Sequence, residues 1–178
     1  MVADHLRPWS GTGFRHIPAG STFGVLDTSF AARATTNRWN DPGDPTFYIA
    51  GDRAIALAEF ARHLRENFSR SLEPALTERV LYRLSVQVQS VLDLRSTEVR
   101  RTLGLHGGLH QFLDVAYARA TANFVRRTST AEGLLVPSMA FLDDPVRWNL
   151  VLFLERLPDD LTTFITVAFD GTFRIART

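Results

Sequence analysis

Four residues carry polar side chains that could do chemistry: Arg38, Tyr48, Glu59 and Ser138. The guanidinium fork of Arg38 fits two oxygens of a phosphate or carboxylate at once. Tyr48 offers an apolar ring with a polar tip, and Ser138, after Pro137, offers a turn hydroxyl. Each has a plainer reading. Arg38 fits a surface arginine stacked on Trp39, Tyr48 a half-buried core aromatic, and Ser138 an ordinary turn serine. At about 100° per residue, Ala54, Leu57, Ala58, Phe60, Ala61 and Leu64 form an apolar helical face. Glu59 points away from it, near Arg62 and His63, where a solvated glutamate would lie. It becomes functional only where the polar side of that helix lines a cleft.

The elements that must position these residues follow from local signals. Asp41-Pro42-Gly43-Asp44-Pro45 is a dense turn after Arg38. Thr46-Phe47-Tyr48-Ile49-Ala50 is short, aromatic and β-branched, which predicts a strand. Asp52 can cap a helix running to about Asn67. From Arg79 to Leu94, residues Val80, Tyr82, Leu84, Val86 and Val88 share one face, so a long strand is predicted, bent near Ser90. Helices are expected near 97–103 and 109–127, separated by Gly104, Gly107 and Gly108. Short strands are expected at 133–136, 149–154 and 162–169, with Asp170-Gly171 as a hairpin turn before a last strand, Thr172 to Ala176. Residues 1–12 read as a polar lead, and Phe14 to Leu26 as short strands and turns. This mixed order lacks βαβ alternation and predicts an α+β fold in one domain, residues 1–178.

Composition excludes several chemistries. The 178 residues contain no cysteine, which removes thiol nucleophiles, disulfides and cysteine-ligated zinc. All 20 basic residues are arginine, so a Schiff-base or P-loop lysine is also excluded. His106 and His110 have a spacing seen among metal ligands. Two intervening glycines and the lack of a third ligand make them loop histidines, and no metal site is expected. The formal charge of +1 gives no general attraction to nucleic acid or anionic membrane, so an anionic ligand must be held by locally placed groups. No secretory signal or membrane span is apparent, which makes a cytoplasmic protein the expectation.

Two longer blocks join the candidate residues. Asn37-Arg38-Trp39-Asn40, Pro42-Gly43, Phe47-Tyr48-Ile49-Ala50 and Ala56-Leu57-Ala58-Glu59 resemble the N-terminal signature of the RES domain. Glu132 to Ser138, followed by Asn149-Leu150-Val151-Leu152-Phe153, resembles its C-terminal signature. The resemblance runs from about Phe14 to Phe153. Arg38, Glu59 and Ser138 match the Arg, Glu and Ser that name the family, and Tyr48 matches the tyrosine between the first two. Asn37 stands where the family often has glycine, and Met139-Ala140 where it often has a small residue and an arginine.

The resemblance implies a fold similar to the ADP-ribosyltransferase toxins, with two small packed sheets and flanking helices around an NAD cleft. It implies the toxin of a toxin–antitoxin pair, partnered by an Xre-type helix-turn-helix protein. Such a toxin destroys NAD, its substrate and not a cofactor, by hydrolysis or by phosphorolysis with inorganic phosphate. The alternative is a mono-ADP-ribosyltransferase acting on a cellular protein. In the roles implied, Glu59 stabilises the oxocarbenium-like transition state and Arg38 grips the diphosphate or ribose hydroxyls. Tyr48 packs against the nicotinamide or its ribose, Ser138 orients the nucleotide, and Asn149 joins the NAD-binding set.

Overall fold

The computed structural model describes residues 2–66 and 78–174. Along the chain run β1 (Arg7–Pro18), β2 (Thr46–Ala50), α1 (Arg53–Glu66), β3 (Arg79–Asp93), α2 (Thr97–Thr102), α3 (Val115–Thr128), β4 (Gly133–Pro137), β5 (Trp148–Phe153) and β6 (Ile165–Phe173). Short 3-10 turns lie between them, including one at Leu109–Leu113 that borders the site. The class is α+β.

The strands pair as one six-stranded sheet in the order β1-β2-β5-β4-β3-β6, and a β1–β3 pairing closes five of them into a ring. The expected two sheets are thus one continuous sheet folded so that its halves face each other. β3 makes this possible by its length. It pairs with β1 along its length, past a bulge, to Val91; its first half also pairs with β6, and from Val91 it pairs with β4. The change from β6 to β4 falls at the bend predicted near Ser90, where Glu132 Oε2 accepts from the amides of Gln89 (2.6 Å) and Ser90 (3.1 Å). Phe47, Ile49, Leu84, Val86, Leu150 and Leu152 fill the space between the halves. Each such side chain stabilises the fold by about 1.5–3 kcal/mol when fully buried. On the outer side of β2, β4 and β5, Ala118, Ala122 and Val125 of α3 pack with Val151 and Phe153. No helix among the described residues is long and apolar enough to cross a membrane.

Three further expectations need correction. Residues 7–12 are not a lead but the first half of β1. Glycines masked the strand pattern, and they are required: a Cβ on Gly11 would lie 2.7 Å from the Trp9 ring, and one on Gly13 2.4 Å from Ile49 Cγ2. The helix expected over 109–127 is two elements, because Asp114 caps α3, its Oδ1 accepting from Ala116 N at 2.8 Å. Asp170-Gly171 is not a hairpin turn. β6 runs through it, with Asp170 as the extra residue of a bulge opposite Leu81 and Tyr82. The bulge brings the Asp170 carboxylate to Arg53, 2.6 Å away at the start of α1.

The predicted strand over 46–50 and the Asp52 cap are both present, with Ile55 N donating to Asp52 Oδ1 at 2.8 Å. α1 reaches Glu66; Asn67, Ile175 and Ala176 lie outside the described residues.

Candidate active site

β1 and β2 pair at a single register position, Phe14 with Ala50. Beyond it the two strands splay, and a cleft of about 350 Å³ opens there, walled by β1, α1 and the segment before β2. The polar side of α1 does line a cleft, the condition that periodicity left open for Glu59.

One oxygen of Glu59 collects four donors. Its Oε1 accepts from Ser138 Oγ (2.7 Å), Met139 N (2.8 Å), Ala140 N (3.3 Å) and Asn149 Nδ2 (3.2 Å). Oε2 accepts from Arg62 Nε at 3.1 Å. β4 ends at Pro137, which cannot donate to a continuing ladder, and the next three residues wrap the carboxylate. Asn149 reaches it from neighbouring β5. Both Met139 and Ala140 contribute through their backbone, so the departure from the family pattern at these positions leaves the arrangement intact. With Oε1 saturated, Oε2 is the oxygen left for a ligand.

Ser138 is fully buried and spends its hydroxyl on Glu59. It does not line the cleft wall; its hydroxyl reaches the site through Glu59. Tyr48 does wall the cleft, but its hydroxyl is committed to the chain: it donates to Asn40 Oδ1 (2.8 Å) and accepts from Trp39 N (3.1 Å). Burial pushes the phenol far above its ordinary range, which keeps it a neutral donor. Trp39 and Asn40 are themselves buried, so this pair of bonds fixes the segment carrying Arg38. Arg119 of α3 holds the same segment from behind, donating to the carbonyls of Thr35 (2.7 Å) and Asn37 (2.7 Å).

Arg38 lies at the cleft wall, with Nη1 donating to the carbonyls of Phe112 (2.8 Å) and Leu113 (2.6 Å). One end of its fork therefore anchors the 3-10 turn at the cleft border.

Two cleft residues were not anticipated from the sequence, Arg15 and His16 on β1. Arg15 Nη1 donates to the Tyr48 carbonyl at 3.0 Å across the splay, and its guanidinium sits 4.1 Å from the Phe47 ring centroid. Among the described residues no carboxylate pairs with it, and its Nε is buried without an acceptor. Burial pulls its pKa down to about 10, which leaves it a cation at neutral pH. His16 is pulled down to about 3, first by burial and then by Arg79 and Arg15, so its imidazole is neutral. The only signal in the sequence was an Arg-His pair following a glycine-spaced segment, which no local rule singles out. His110, by contrast, is surface-exposed, 3.9 Å from Asp143 and away from the cleft.

Arg15, Arg38 and Arg62 around a single glutamate define a small α+β domain with a locally cationic cleft. The chain matches the RES domain family over residues 12–174 and belongs to it. No curated protein matches it in sequence. Among solved structures it is similar to a chain of the crystal structure of the M. tuberculosis MbcT–MbcA toxin–antitoxin complex. The TM-score is 0.69 at 21% identity, over 96% of this chain and 86% of that one. At that identity the likeness is one of fold.

Proposed function

We propose that the chain is an NAD-cleaving toxin of a toxin–antitoxin pair, with a cleft built as in the ADP-ribosyltransferases. The observation that carries this reading is Glu59: one carboxylate, held by four donors through Oε1, facing a cleft with a half-buried cation, Arg15, that no carboxylate among the described residues neutralises. NAD offers what each needs. When the nicotinamide–ribose bond breaks, its electron pair leaves with neutral nicotinamide and positive charge develops on the sugar. Nicotinamide leaves without a proton, so one carboxylate suffices and no general acid is required. Glu59 Oε2 meets the charge or an adjacent hydroxyl, and Arg15 meets the diphosphate, with Arg38 at the opposite wall. Water or inorganic phosphate then adds to the sugar.

Membership of the RES family and the likeness to a toxin–antitoxin complex support an antitoxin partner, which we place in the Xre-type helix-turn-helix class. The test is incubation of the purified chain with NAD, with and without phosphate, following nicotinamide by chromatography. Nicotinamide release is expected, and dependence on phosphate selects phosphorolysis over hydrolysis. Radiolabel passing from NAD into a protein band would replace this reading with mono-ADP-ribosyl transfer. An absence of nicotinamide release with and without a lysate would overturn both.

A further inference from the structure

We propose that His16 is a ligand contact of the cleft, a fixed neutral donor that presents Nε2–H to an oxygen acceptor of the bound nucleotide. The inference rests on the NAD reading above and assigns a residue that neither the motif blocks nor the charge pattern marks.

The tautomer follows from its neighbour. Arg79 Nε and Nη2 lie 3.2 and 3.0 Å from His16 Nδ1. A guanidinium only donates, so Nδ1 must carry the lone pair, and in a neutral ring the proton then sits on Nε2. Arg79 cannot swing away cheaply, because its guanidinium stacks 4.7 Å from the Phe60 ring centroid. The imidazole is clamped as well: Phe60 lies 4.7 Å from it on one side, and Phe173 meets it edge-on at 5.3 Å. His16 borders the cleft, and its Nε2 has no hydrogen-bond partner among the described residues.

This geometry excludes the usual role of an active-site histidine. A general base needs a free lone pair, and the lone pair of His16 is turned onto Arg79. What remains is an oriented N–H held ready for an acceptor. Its partner is an oxygen, of a sugar hydroxyl, a carbonyl or a phosphate, and the bond rewards a ligand with an acceptor there over one with a donor or a methyl group. Arg79 is the positioning residue that selects the tautomer.

The experiment is NMR of the chain with ¹⁵N-labelled histidine, titrated with ADP-ribose, which lacks the scissile bond and survives, alongside steady-state kinetics on NAD. His16 is expected as the Nε2–H tautomer, with its signal moving on saturation. His16→Phe keeps the aromatic packing and should raise KM for NAD about three- to ten-fold, the worth of one neutral hydrogen bond, with kcat little changed. His16→Gln, which retains a donor, should recover part of that loss. Arg79→Met should release the ring into a mixed tautomer, a spectroscopic change that loss of packing alone does not produce. ADP-ribose binding with an unmoved His16 signal, or an unchanged KM in His16→Phe, overturns the inference alone. Failure of both NAD and ADP-ribose to bind overturns the reading of the site, and this inference with it.

Discussion

Ser138 Oγ donates to Glu59 Oε1 across 2.7 Å, although 79 residues separate the two in the chain. Two of the residues that carry the resemblance are therefore one unit, with the serine buried behind the carboxylate. Removing the hydroxyl should leave Glu59 in place on three donors but less firmly oriented. Ser138→Ala is expected to lower kcat on NAD by about 10- to 100-fold, the worth of one charge-assisted hydrogen bond, with KM nearly unchanged. A raised KM at normal kcat would instead put Ser138 in direct contact with the nucleotide.

Glu59→Gln tests the charge itself. The amide keeps an oxygen for the donors from Ser138, Met139, Ala140 and Asn149 but loses the negative charge that the proposed mechanism sets against the oxocarbenium-like sugar. Turnover should fall by at least about 10²–10³, the scale of a preorganised electrostatic group. The comparison is made on protein whose melting temperature shows it folded. Near-normal nicotinamide release would remove Glu59 from the mechanism.

Arg15 separates function from stability in the opposite sense. A half-buried cation whose Nε has no acceptor, and which no carboxylate among the described residues pairs, costs the fold and suits a ligand-binding position. Arg15→Met should raise the KM for NAD at least about ten-fold, a loss of roughly 1.4 kcal/mol. Its melting temperature should be equal to or higher than that of the parent chain. A marked drop in melting temperature with unchanged KM would make Arg15 a structural residue and leave the diphosphate to other groups.

Local features of the fold were legible because their signals are local. The strand Thr46–Ala50, the Asp52 cap and the bent strand from Arg79 each follow from a few neighbouring residues. β1 was not, since Gly11 and Gly13 erase the alternation; their reason, contact with Trp9 and Ile49, exists only after folding. The site divides the same way. Arg38, Tyr48, Glu59 and Asn149 were found through the family blocks, and all four come to one cleft. Arg15 and His16 lie outside those blocks, and their meaning depends on β1 splaying from β2. Periodicity put Glu59 on the polar side of its helix, but nothing within α1 tells that the loop after β4 folds over it.

Arg38 is expected to show two effects at once. Its Nη1 ties down the carbonyls of Phe112 and Leu113, and it also borders the cleft. Arg38→Ala should destabilise the chain by about 1.5–3 kcal/mol, as for hydrogen bonds to a charged group, and should also raise the KM for NAD. Denaturant unfolding and kinetics on the same preparation separate the two. A loss of stability with unchanged KM would confine Arg38 to anchoring the 3-10 turn and argue against the clamp.

His16 also sets an acid limit on stability. In the folded chain its pKa is about 3, lowered by burial and then by Arg79 and Arg15, whereas in the unfolded chain it titrates near its ordinary value of about 6.5. Between those values the unfolded chain holds a proton that the folded chain refuses. The stability contributed by neutral His16 is thus fully present above about pH 6.5 and drains away as the pH falls towards 3. By pH 5 the loss from this residue is about 2 kcal/mol. Urea unfolding at pH 7 and pH 5 should show a steeper decline for the parent chain than for His16→Phe, which has no proton to take up. Equal declines would mean that position 16 is protonated no differently in the folded and unfolded states.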